Sequence, residues 1–182
     1  MLVLLISGCG TAPSSTTSAV APVFDEQAYA SALELMKKSD YDKAVAQLEQ
    51  VVRGDDRRAG PYINLGIAYR QLGKLEEAKQ ALRVASERES GSGIAFNELG
   101  IVYRKLGDFK NAREAYKNSI RKQSGYAKAY LNLGILCDIY LEDLSCAITN
   151  YQKYLQSSKE KDEKVSLWIA DLKKRAGQKK GQ

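Results

Sequence analysis

Between Tyr62 and Ala85 the apolar positions fall three and four residues apart. Tyr62, Leu65, Tyr69 and Leu72 form one stripe, Gly73 interrupts it, and Leu75, Ala78, Leu82 and Ala85 form a second. That spacing belongs to helices with one buried face, so the segment predicts two helices separated at Gly73. The small residues Gly66 and Ala78 allow their backbones to approach closely. The expected unit is a helical hairpin.

The pattern recurs with an offset of 34 residues. The run from Tyr62 to Gly73, with Leu65-Gly66 and Tyr69 inside it, returns as Phe96 to Gly107 with Leu99-Gly100 and Tyr103, and again as Tyr130 to Cys137 with Leu133-Gly134. Ala44, Ala78 and Ala112 keep the same interval. An aromatic residue, Leu-Gly, Tyr, Gly and Ala at this period resembles the tetratricopeptide repeat, over about residues 25 to 161. No single hairpin buries its stripe alone, so neighbours must stack. The expected fold is therefore all-α, an α-solenoid of about four helical hairpins, which the resemblance makes right-handed with a concave inner face.

Departures from the pattern mark the ends. Ala28, Ser31, Ala32 and Leu35 replace the aromatic, Leu, Gly and Tyr of the first copy, which is recognised mainly by Tyr41, Ala44 and Leu48. Gly134 to Ala147 spans one residue more than Gly66 to Ala78, which places an insertion near the turn at Leu141 to Asp143. Asp162-Glu163-Lys164 opens a last helix with Val165, Trp168, Ile169 and Leu172, its acids at the start and Lys173, Lys174 and Arg175 at the end suiting the helix dipole. It should cap the open end of the stack, with Trp168 as a packing residue. Repeats are thus expected at 25–58, 59–92, 93–126 and 127–161, a cap helix at 162–176 and a basic tail at 177–182.

Composition removes several functions. There is no histidine among the 182 residues, which excludes a His-based triad, base or metal ligand. The net charge of +6 owes five cations to residues 173–182, where no acid stands, so a basic face for nucleic acid is not expected. No Gly-rich phosphate loop, supported carboxylate pair or Cys-x-x-Cys occurs. No enzyme activity, cofactor, metal or small-molecule substrate is expected.

The N-terminus differs in kind. Met1 to Phe24 carries no charge and divides into an apolar run to Ile6, then Ser7-Gly8-Cys9, then a Ser/Thr/Ala/Pro stretch to Pro22. The run is too short to span a bilayer and short for a complete signal peptide. Ile6-Ser7-Gly8-Cys9 resembles the bacterial lipoprotein box, whose cysteine is lipidated and becomes the mature N-terminus. That resemblance makes residues 1–8 the remnant of a signal peptide begun upstream, Cys9 the lipid attachment site and 9–24 a flexible linker. Gly10 rather than Asp after the cysteine resembles the outer-membrane sorting rule. The expected location is the periplasmic face of the outer membrane, or the cytoplasm if the short start is the true one.

Cys137 and Cys146 admit two readings: inert buried thiols, the preferred one, or a disulfide across one hairpin formed after export.

The family resemblance also implies where a protein partner binds. Its inner face is lined by the first helix of each hairpin, which here selects Tyr29 and Leu33, Ile63, Ile67 and Arg70, Asn97, Ile101 and Arg104, and Leu131 and Ile135. The same positions also select Met36, Ile94, Lys128 and Asp138. Arg70 and Arg104 would hold a carboxylate or backbone carbonyls, the Ile residues would take apolar side chains and Asn97 would fix an extended backbone. The competing reading packs the Ile residues between hairpins and leaves the arginines solvated.

The resulting expectation is a non-catalytic protein-binding scaffold of the cell envelope, resembling the pilotin-type lipoproteins of type IV pilus and secretion machines. The alternatives are an accessory protein of a periplasmic energy-transducing uptake system and, more remotely, a cell-wall enzyme or its subunit.

Overall fold

Every strong apolar stripe becomes a helix in the computed structural model, which describes residues 23–88, 92–159 and 161–179. Among these the helices are α1 (Glu26–Lys37), α2 (Tyr41–Gly54), α3 (Ala59–Gln71), α4 (Leu75–Arg88), α5 (Gly93–Lys105), α6 (Phe109–Lys122), α7 (Ala127–Ile135), α8 (Leu144–Ser157) and α9 (Glu163–Lys179). A π-helical turn, Leu136–Tyr140, extends α7. Odd and even helices pair as hairpins α1/α2, α3/α4, α5/α6 and α7/α8, each pair packs on the next, and α9 lies on α8. The arrangement is the expected α-solenoid. Residues 1–22, with Cys9, lie outside the described residues.

One socket recurs in each hairpin. A Cβ built on Gly66 would stand 2.4 Å from Cγ of Leu82, one on Gly100 2.5 Å from a ring carbon of Tyr116, and one on Gly134 2.5 Å from a ring carbon of Tyr151. These glycines exist so that the large side chain of the second helix can lie against the backbone of the first. Leu82, Tyr116 and Tyr151 are accordingly almost wholly buried, as is Leu48 over Ala32 in the first hairpin.

The first helix of each hairpin ends in the same way. Ser39, Gly73 and Gly107 stand at φ 60°, 76° and 77°. The next residue's N–H reaches back to a carbonyl one turn earlier: Asp40 to Leu35, Lys74 to Tyr69 and Asp108 to Tyr103, each at 2.9 Å. This closure satisfies carbonyls that the helix end would otherwise orphan.

In the fourth hairpin Glu142 takes the left-handed position, at φ 50°, and Asp143 N–H donates to the Cys137 carbonyl at 2.9 Å. The same bond now encloses one residue more. The insertion expected at Leu141 to Asp143 is thus absorbed earlier, as the π-helical turn, because widening one helical turn preserves the closing bond and the pairing of α7 with α8. A side effect is that Ile139 is 66% exposed and Tyr140 42%.

Cys137 and Cys146 are joined as a disulfide across this turn, their Cα atoms 5.8 Å apart. The preferred reading of two free thiols is corrected. The wider turn leaves the end of one helix and the first turn of the next at bridging distance.

The cap helix is longer than the expected 162–176 and runs through Lys179. Val165, Ile169 and Leu172 are buried on α8. Trp168 packs on Tyr151 with ring centroids 5.5 Å apart but keeps one side open, 37% exposed.

Candidate functional site

The inner face is built from α1, α3, α5 and α7, which touch their odd-numbered neighbours along the stack. Residues three and four apart share a helix face, so each odd helix contributes the same few positions to a continuous strip. Leu33, Ile63, Ile67, Ile101, Leu131 and Ile135 lie half-buried along it, and Ile94 is 42% exposed. Ile101, Leu131 and Ile135 also pack against the core of the fourth hairpin. Ile101 and Ile135 thus pack at a hairpin junction while remaining only partly buried.

The polar members differ from expectation. Asn97 is 1% exposed; its Oδ1 accepts from Asn132 Nδ2 at 2.9 Å and its amide donates to Glu98 at 3.2 Å. It joins α5 to α7 and does not face a partner's backbone, because a buried amide takes protein partners. Tyr29 does the same two junctions earlier, joining α1 to α3, its hydroxyl accepting from Asn64 Nδ2 at 2.7 Å.

Arg70 and Arg104 occupy equivalent positions but not equivalent surroundings. Arg70 Nη2 lies 3.2 Å from Glu98 Oε2, with both side chains largely buried. It is already paired, and the expectation that both arginines serve a partner is corrected. One repeat on, the place of Glu98 is taken by Asn132. Arg104 has no ion pair among the described residues; its Nε, like that of Arg70, is buried without a hydrogen-bond partner, and its guanidinium stands 5.8 Å from the Tyr140 ring centroid.

Tyr116, buried beside it, gives no counter-charge. Burial pushes its phenol up to about 12, against the opposing pull of Arg104. Asp138, expected on the groove rim, is engaged by Arg175 at 3.6 Å and accepts from the Tyr151 hydroxyl at 3.3 Å. Burial, followed by that contact with Asp138, raises the Tyr151 phenol as well.

Sequence reasoning missed Glu98, Asn132, Ile139 and Tyr140. The first two were detectable: Asn64, Glu98 and Asn132 share one repeat position, and the change of charge there decides which arginine is neutralised. The outward Ile139–Tyr140 pair was hidden because it follows from where the insertion settles. Among the described residues no three Cys, Asp or Glu side chains gather as a metal site.

Two tetratricopeptide repeat models match adjoining stretches, residues 35–96 and 97–139, together more than half of the chain. The chain belongs to the tetratricopeptide repeat family. Solved structures agree on the fold. MamA from Desulfovibrio magneticus RS-1 is 20% identical, with 85% of this chain and 88% of that one covered at a TM-score of 0.71. TTC0263, a thermophilic tetratricopeptide protein of Thermus thermophilus, is 22% identical over 80% and 79% of the two chains at 0.67. Pseudomonas aeruginosa pilF is 16% identical over 83% and 68% at 0.73. No curated protein matches the chain significantly. Tetratricopeptide hairpins are in general non-catalytic protein-interaction modules.

Proposed function

We propose that the chain is a scaffold of the bacterial cell envelope, lipid-anchored through Cys9 to the outer membrane and facing the periplasm, which holds a segment of a partner protein in its concave groove and assists assembly of a type IV pilus or secretion machine. The observation that carries the compartment is the Cys137–Cys146 bridge, because such bridges persist in oxidising compartments and are rare in the cytosol. The lipoprotein-like run Ile6-Ser7-Gly8-Cys9 supports the same side of the membrane. The pilus arm follows the resemblance to pilotin-type lipoproteins and the fold shared with pilF. The half-open strip of Ile and Leu side chains supports the binding role: it offers apolar area to an extended or helical segment while its backbone stays fully paired.

The test has two parts. A clickable fatty acid is fed to cells expressing the chain behind a complete lipoprotein signal, and label is expected on wild type but not on Cys9→Ala; equal labelling of both sinks the anchor. Envelopes are then crosslinked and the chain is recovered. An outer-membrane secretin is expected with wild type and not with Ile67→Asp/Ile101→Asp. Recovery of an inner-membrane energy-transducing protein instead replaces the pilus and secretion arm with the uptake one, and retention by the double variant, still folded by circular dichroism, moves the binding surface off the concave face.

A further inference from the structure

The register of the repeats singles out one cation. Arg70 reaches forward to Glu98 on the next odd helix; Arg104, one repeat later, finds Asn132 at the corresponding place, and that amide is spent on Asn97. The half-buried guanidinium of Arg104 therefore lacks the carboxylate that its counterpart has. A partly desolvated cation without an anion is poorly compensated, and a carboxylate delivered to it makes a stronger contact than one in open water. The nearby Tyr116 phenol is neutral and Asp138 is held by Arg175.

Apolar side chains lie near Arg104. Ile101 lies one turn earlier on the same helix and packs, like Ile135, against the core of the fourth hairpin. The exposed Tyr140 ring of the π-helical turn stands 5.8 Å from the Arg104 guanidinium and 4.9 Å from the Phe109 ring, and Ile139 precedes it on the same turn. A segment laid along Ile101 and the Tyr140 ring passes the Arg104 guanidinium beside that ring, so an acidic side chain within the segment is placed to reach the cation.

We infer that Arg104 is the specificity point of the groove and receives an Asp or Glu side chain lying between apolar residues of an extended partner segment. This rests on the groove reading above and names the chemistry of its occupant.

The probe is a fluorescein-labelled, C-terminally amidated nonapeptide with a central Glu, Leu two residues before it and Phe two residues after, in a Ser/Thr background. Its twin carries Gln at the centre, and a third peptide lacks the acid but keeps a free terminal carboxylate. Fluorescence anisotropy with the full chain is expected to show the Glu peptide binding about tenfold tighter than the other two, the size of one charge-assisted hydrogen bond. Arg104→Gln should erase that preference. Asn132→Glu should erase it too, by supplying Arg104 with an internal carboxylate, in protein whose circular dichroism and melting temperature show it folded. Equal binding of the Glu and Gln twins, lost in Ile67→Asp/Ile101→Asp, overturns the acid preference and leaves the groove standing. Tighter binding of the free-carboxylate peptide, or a preference that survives Asn132→Glu, also overturns it. Failure of every peptide to bind the wild type sinks the groove reading along with it.

Discussion

Arg70 and Glu98 close across the junction of two hairpins at 3.2 Å, the two side chains only 17% and 12% exposed. Removing one partner strands the other where water cannot fully solvate it. Glu98→Gln is expected to cost about 2 kcal/mol, between the exposed and fully buried limits for ion pairs. Urea unfolding of the variant against wild type measures it, and a midpoint unchanged at constant slope would show that water already solvates the pair.

The sockets opposite Leu82, Tyr116 and Tyr151 define a second prediction. A methyl on Gly100 would meet the Tyr116 ring at 2.5 Å, and Tyr116 is fully buried. Gly100→Ala should therefore destabilise by about 1–3 kcal/mol despite the better helix propensity of Ala, since an overfilled core outweighs a backbone gain of about 1 kcal/mol. Gly177, with nothing within 4 Å of its added Cβ, serves as the contrast. Gly177→Ala should leave the thermal midpoint level or slightly raised.

The disulfide closes a short loop, its cysteines nine residues apart. Chain-entropy arguments give such a loop about 2–3 kcal/mol through restriction of the unfolded state. Cys146→Ser should lose about that much in non-reducing urea melts. In denatured protein purified from an oxidising compartment, thiol titration should find neither Cys137 nor Cys146 reactive. Two reactive thiols would exclude the bridge.

Asp55 supplies a pH dependence. Nearly fully buried, it accepts from the Arg57 backbone N–H at 3.1 Å and from its guanidinium at 2.8 and 3.0 Å. The side-chain bonds to Arg57 first, then the backbone bond, hold its pKa down to about 2. Its folded value lies below its unfolded one near 3.8, so the stabilisation is present above about pH 4 and is lost as pH falls toward 2. Asp55→Asn should be less stable than wild type at neutral pH and lose less between pH 4 and pH 2. Parallel slopes in pH-resolved urea melts would count against this account.

How much of this was legible beforehand follows from the physics of repetition. The hairpins, their order, the turn glycines and the capping helix could be read from the sequence, because each depends on residues within one 34-residue period and on a periodicity that local backbone geometry enforces. The half-buried apolar positions of the odd helices follow the same period. The fates of the polar ones were not legible. Whether Arg70 or Arg104 is neutralised depends on a residue on the next odd helix, Glu98 in one case and Asn132 in the other, and the pairing exists only once the hairpins are stacked. Asn97 was misread because its burial is set by two neighbouring helices. The insertion could be counted from the spacing, but its place could not: the chain kept the closing bond to Cys137 and widened a helical turn instead. That choice brought Cys146 to Cys137 and turned Ile139 and Tyr140 outward, consequences that tertiary packing alone decided.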